Sequence, residues 1–172
     1  DYQERNYLWT GDLDLACFQE TCRFTDPTLS FVGTDKFTEN TQNLVPLVDA
    51  FVEDYQSKLL SIELVEDPDS TKSDNKDTQS KRRRYIQTRW NMVGSLTASP
   101  LFFWKPKIDV IGRTKFWFDR ESSSSSEDQN SYRVYFYDEE WEIPAYQALL
   151  QLVTPAGTFP SSMDNDSKKT NQ

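Results

Sequence analysis

From Ser57 onward the apolar residues recur at every second position in four long stretches. A chain with that pattern has to build a sheet with one apolar face. Lys58–Glu66 places Leu60, Ile62 and Leu64 on one side. Arg82–Leu96 does the same with Ile86, Thr88, Trp90 and Met92, and Lys107–Asp119 with Ile108, Val110, Thr114, Phe116 and Phe118. Tyr132–Glu142 is the last of the four. Several exceed the usual strand length of about 5–6 residues, so the sheet is expected to twist and bend strongly. Gly94 and Gly112 are the natural sites for a bend or bulge.

The first third of the chain has a different period. Leu13, Ala16 and Cys17 recur at helical spacing, which predicts a short helix over Gly11–Cys22 with Asp12 as its N-cap. Arg23–Phe24 begins an extended piece that stops at Asp26-Pro27, because proline biases the residue before it away from helical angles. Leu29–Val32 predicts a short strand closed by Gly33. Thr34 to Phe51 predicts a helix capped by Thr34, with Phe37, Leu44, Leu47, Val48 and Phe51 on one face and a kink or break at Pro46. From Ile143 a final helix is expected, with Pro144 in its first turn and an apolar face of Tyr146, Leu149, Leu150 and Val153. This order predicts an α+β fold: a strongly curved antiparallel sheet of four long strands plus short N-terminal strands, wrapped around two to three helices.

A length of 172 residues suits one domain. The hydrophobic share, 36%, is low because three stretches hold almost none of it: Pro68–Lys81, Glu121–Ser131 and Pro160–Gln172 contribute Met163 alone. The domain is therefore expected at 10–155, with polar loop insertions at 68–81 and 121–131 and a disordered polar tail at 156–172. Residues 1–9 read as an N-terminal remnant. The chain opens at Asp1 and not at a methionine, as it would if an upstream segment had been removed or left out.

Composition excludes much chemistry. There is no histidine, which rules out Ser–His–Asp and Cys–His sites, a histidine base, and histidine-ligated zinc or haem. Cys17 and Cys22 do not form a CxxC, and no further cysteine completes a zinc site. They read as two small buried thiols, with a disulfide as the alternative. No metal or other cofactor is expected. The net charge of −9 argues against nucleic acid, although Lys81–Lys115 carries nine Lys/Arg and one acid, Asp109. The run Lys81–Arg84 within it reads as a solvated loop end, with anion contact as the alternative. No apolar run approaches the roughly 20 residues that span a bilayer.

Asp26 is a candidate catalytic carboxylate, or else the acceptor of an Asx turn before Pro27. Glu139 and Glu140 precede Trp141, and a bulge near Asp138 would decide which of them turns inward. Glu140 is the second candidate base. Phe37, Trp90, Trp104, Phe116 and Trp141 form the candidate pocket wall. Arg89, Asp109, Arg113 and Trp117 follow the opposite rows and predict an outward polar patch, either a ladder of cross-strand pairs or a docking surface. Trp117, with Tyr135 and Tyr137 nearby in pattern, suggests an aromatic outer face that a dimer mate or another protein would cover.

The blocks "TGDLD" at 10–14, "CRFTDPTLSFVGTDKF" at 22–37, "TRWNMVGSL" at 88–96, "WKPKIDVIGRTKFWFD" at 104–119 and "EEWEI" at 139–143 resemble a domain of unknown function of plants and other photosynthetic organisms. The element order resembles the nuclear transport factor 2-like superfamily, the α+β cone shared with ketosteroid isomerase and scytalone dehydratase. The resemblance implies a pocket between sheet and helices that takes a small apolar molecule, or an outer sheet face that takes a protein partner. It also implies a plastid setting. Some members of this branch are joined to a SOUL-type haem-binding domain, of which this sequence shows no trace. The reading is a non-enzymatic binding or interaction domain. The alternative is an isomerase- or dehydratase-like enzyme that uses a pocket carboxylate, and a further one is a tetrapyrrole-associated accessory domain.

Overall fold

Alternation makes the strands, and the computed structural model describes them within residues 2–66, 83–97, 105–120 and 132–163. Trp104, the loop insertions at 68–81 and 121–131, Lys81 and Arg82 of the basic run, and residues 164–172 of the expected tail lie outside the described residues. The elements run α1 (Tyr7–Thr10), a 3-10 turn (Leu15–Cys17), β1 (Phe18–Thr25), β2 (Ser30–Val32), α2 (Thr34–Phe51), β3 (Val52–Glu66), β4 (Arg84–Leu96), β5 (Lys107–Arg120), β6 (Tyr132–Trp141) and α3 (Ala145–Gln151).

The fold is α+β, with one six-stranded sheet in the order β2-β1-β6-β5-β4-β3. The four long strands pair antiparallel, as their alternation predicts. The sheet is nonetheless mixed, because β1 lies parallel to β6, from Phe18↔Val134 to Thr25↔Asp138. That pairing also corrects the expected Gly11–Cys22 helix. Only a 3-10 turn forms there, and its N-cap is Asp14, which accepts from the Ala16 N–H at 3.1 Å. Burial alternates from Cys22 onward, with Cys22 and Phe24 buried and Arg23 exposed, whereas between Phe18 and Arg23 the register shifts and Glu20 is exposed.

Two groups of side chains make the core on the sheet's inner face. One gathers Tyr2, Tyr7, Trp9, Val48, Trp90, Ile108, Val110 and Ala148. The other gathers Phe18, Cys22, Phe24 and Tyr137, with Phe37 and Phe116 packed against them. Residues 2–9, read from sequence as a remnant, thus belong to the domain: the aromatics Tyr2, Tyr7 and Trp9 have more to gain inside than in water. Ser161 and Ser162, inside the span expected as a tail, hydrogen-bond to Asp109 of β5.

The helices pack less fully than their patterns imply. Helix α2 runs through Pro46 without a break and buries Val48, whereas Leu44, Leu47 and Phe51 stay exposed. Helix α3 buries Ala148 and Gln151, and leaves Tyr146, Leu149, Leu150 and Val153 outside. Both cysteines are free, but Cys17 is exposed, and only Cys22 is the buried thiol expected of the pair. Burial pushes the Cys22 thiol up to about 12, so it stays protonated.

Candidate functional site

Register lays the inner face out as rows. Residues directly opposite in antiparallel strands share a face. One row runs Ile62–Thr88–Thr114–Glu139 across β3, β4, β5 and β6. The next runs Leu64–Ile86–Phe116–Tyr137 and continues to Phe24 of β1. The first row is polar in its middle and the second is apolar. At its β1 end the second row is covered by Phe37, stacked on Phe24 at 4.7 Å, and within the row Phe116 stands edge-on to Tyr137 at 5.3 Å. At their β3 end Ile62 and Leu64 remain 64% and 61% exposed.

The polar middle is a set of hydroxyls around one carboxyl. Trp90, fully buried, donates its indole N–H to Thr114 Oγ1 at 2.8 Å. The Thr88 hydroxyl donates to the Thr114 carbonyl at 3.3 Å and shares a hydrogen bond with the Tyr2 hydroxyl, to which Tyr7 donates at 2.8 Å. Tyr137 donates to Glu139 Oε2 at 2.6 Å, and Trp141 Nε1 donates to Glu139 Oε1 at 3.0 Å. Burial raises the Glu139 carboxyl above its ordinary value. The two donors pull it partly back, and the negative charge of Asp26 adds to the rise. Tyr7 and Tyr137 are pushed well above the usual phenol value, by burial first. The Glu139 charge adds to Tyr137, and that of Tyr2 adds to Tyr7 before Glu139 does. Tyr2 is raised by burial as well. All three tyrosines therefore stay neutral donors.

The sequence candidates are dispersed by this arrangement. Glu140 turns outward and pairs with Lys115 at 2.9 Å, so the inward carboxyl is its neighbour Glu139. The reason is a bulge at Tyr135, since β6 steps from Phe118↔Val134 to Trp117↔Phe136. That step is three residues before the expected place, and it sets the parity of everything after it. Asp26 accepts from Thr28 N–H and Oγ1, both at 2.6 Å, and from Leu29 N–H at 3.0 Å, which is an Asx turn. Trp90 is fully buried, its ring lying where a Cβ on Gly112 would come within 2.5 Å. Trp141 borders the first core group.

On the outer face the expected patch divides in two. Arg89 grips Glu142 with both arms of its guanidinium, at 2.6 and 3.0 Å, and Arg113 reaches the same carboxylate at 3.0 Å. Asp109 belongs elsewhere: it accepts from Asn91 Nδ2 at 2.9 Å, from Ser161 Oγ at 3.0 Å and from the Ser162 N–H at 3.3 Å. Trp117 lies against Tyr85 at 4.4 Å and opposite Phe136, while Tyr137 turns to the inner face. Its buried indole N–H has no partner among the described residues. Sequence reading missed Glu142, which sits one residue past β6 and is held in reach by its N–H to the Ile111 carbonyl at 2.8 Å.

Fold and site together define an α+β domain in which a mixed sheet carries a buried tyrosine–carboxyl cluster beside an open apolar ledge. The chain belongs to the family described as Uncharacterized conserved protein (DUF2358), whose model matches residues 2–126. The matched span takes in Tyr2, Tyr7, Thr88, Trp90 and Thr114 and ends before Glu139. No curated protein matches the chain. No helix among the described residues is long and apolar enough to cross a membrane.

Proposed function

We propose that the chain is a non-enzymatic binding domain that holds a small, mostly apolar molecule on the inner sheet face, at the β3 side of the helices. One observation carries the reading: Ile62 and Leu64 stay largely exposed at one end of rows that are buried further along, at Thr88 and Thr114 in the first and at Tyr137 and Phe24 in the second. A molecule lying on that ledge would remove apolar surface from water at about 25 cal/mol per Å². It would also bring one polar atom to the hydroxyls of Tyr2, Tyr7 and Thr88, and apolar walls with few convergent polar groups are the common make-up of small-molecule sites. Membership of the nuclear transport factor 2-like superfamily goes with this proposal on the strength of the element order, and a plastid setting on that of the sequence blocks that resemble a domain of photosynthetic organisms.

The test is a fluorescence titration with prodan, an uncharged apolar probe with a single carbonyl. Saturable binding is expected, weakened about tenfold or more by Leu64→Glu while the thermal midpoint holds, since a charge on the ledge must be desolvated. Absence of saturable binding, or equal binding by the variant, overturns the proposal.

A second reading rests on Glu139, an inward carboxyl with a raised pKa and a tyrosine donor. It makes the domain an isomerase- or dehydratase-like enzyme with Glu139 as base and Tyr137 as electrophilic support. Under that reading Glu139→Gln abolishes turnover of a bound carbonyl compound and leaves prodan affinity intact. Turnover that survives the substitution removes it.

A further inference from the structure

We infer that the molecule held on the ledge is an elongated apolar acid, and that the guanidinium of Arg84 receives its carboxylate. The inference rests on the ligand-binding reading and gives it a chemical class.

Register puts Arg84 on the face that carries the ledge. Opposite residues of antiparallel strands share a face, and so do residues two apart along one strand. Ile86 is the link: Leu64 lies opposite it on β3, and Arg84 comes two residues before it on β4. A molecule with one end at Arg84 therefore crosses Ile86 to reach Leu64, and Ile62 follows two residues away, opposite Thr88. The stretch from Arg84 to Thr88 spans about 13 Å at the rise of a strand, which calls for an elongated body.

Arg84 is positioned by rings and not by an acid. Its guanidinium carbon lies 5.7 Å from the centre of the Phe118 ring and 5.8 Å from that of Tyr132, within reach of cation–π attraction. Among the described residues no carboxylate pairs with it, although Glu66 stands opposite it in register. The outer face is built differently, since Arg89 and Arg113 share Glu142 there. Arg120, two residues past Phe118 on β5, adds positive charge at the same end. Arg84 is half-buried on a face of apolar neighbours, where a cation without a counter-ion is costly and an anion relieves the cost. A carboxylate matches the planar guanidinium with two parallel hydrogen bonds, which an uncharged molecule of the same shape cannot do. Arg84 also ends the basic run Lys81–Arg84, and this gives the anion contact considered from the sequence a definite place.

The test measures binding of decanoate and of decan-1-ol to the full chain by calorimetry, with prodan as the uncharged reference. Decanoate is expected to bind about tenfold tighter than decanol. Arg84→Gln should remove that difference by weakening decanoate alone, and Arg84→Lys should restore part of it. Added salt should weaken decanoate more than decanol. That comparison uses wild-type protein, so it stands even if the Arg84 variants do not fold. Leu64→Gln, which brings no charge, should weaken both, because both lay their chains on the ledge. Equal affinity of wild type for acid and alcohol, decanoate binding unmoved by salt or by Arg84→Gln, or decanoate binding that Leu64→Gln leaves intact, overturns the inference. If prodan still binds in a Leu64-dependent way, the ligand-binding reading stands without it; if prodan does not bind either, that reading falls too.

Discussion

The side-chain amide of Gln151 in α3 brackets the backbone of Asp109 in β5: its oxygen accepts the Asp109 N–H at 2.7 Å and its nitrogen donates to the Asp109 carbonyl at 3.2 Å. Strand β6 pairs with β5 only from Gly112 onward, so a glutamine does here what a strand does elsewhere. Gln151→Leu keeps the volume and removes both bonds. The Asp109 carbonyl retains the Ser162 hydroxyl, but the N–H is left without its acceptor. A loss of about 1–3 kcal/mol is expected, read as a lower urea midpoint at unchanged slope.

Glu139 should make stability fall as pH rises. Its folded pKa is raised, by burial above all, so the folded state binds more protons than the unfolded chain above the ordinary carboxylate range. The Glu139 contribution is complete below the unfolded pKa and is lost as pH climbs through the folded one. Asp138, also raised, acts in the same sense. Comparison with Glu139→Gln isolates the first: the variant should show a shallower decline in urea-derived stability across that window. Identical pH profiles would contradict the burial of this carboxyl.

Glu142 separates two guanidiniums that face each other across the β4–β5 pairing, Arg89 opposite Arg113. Its carboxylate is mostly covered, with its side chain 19% exposed. Glu142→Gln leaves like charges opposed and should cost about 1–3 kcal/mol, more than Arg113→Ala, whose side chain is half in solvent. A double-mutant cycle on Arg89 and Glu142 should return a coupling of about 1–2 kcal/mol that shrinks as salt is added.

Gly112 is fixed by contact and not by backbone angle. A Cβ there would meet Trp90 ring atoms at 2.5 Å and the Glu140 carbonyl at 2.8 Å. Trp90 cannot retreat, being fully buried and hydrogen-bonded to Thr114. Gly112→Ala is expected to lower stability by about 1–3 kcal/mol and to shift tryptophan fluorescence. A silent substitution would mean that Trp90 is not locked.

What could be read in the sequence was whatever repeats over many residues. The alternation in β4 and β5 placed Trp90, Thr114 and Phe116 on the inner face without error. A single inserted residue could not be read: the bulge at Tyr135 exchanged the faces of Glu139 and Glu140, and nothing in the residue types near it announces the shift. The helical spacing of Leu13, Ala16 and Cys17 outweighed a strand pattern already present in Phe18, Cys22 and Phe24. The apolar stripes of α2 and α3 marked helices correctly, yet Val48, Ala148 and Gln151 are the residues those helices bury. Glu142 and the N-terminal arm were invisible because tertiary contacts, and no local period, give them their places.

The parallel pairing of β1 with β6 bears on the order in which this protein can fold. Phe18 and Phe24 are synthesised well before Val134 and Tyr137, their partners in the strand that completes the sheet. Until it arrives, the nascent chain carries an unpaired strand edge and uncovered aromatics, the surfaces that favour misassociation. The domain should therefore be a slow folder, limited by a long-range closure, and a ribosome-bound chain that stops short of β6 should depend on a chaperone to stay out of aggregates.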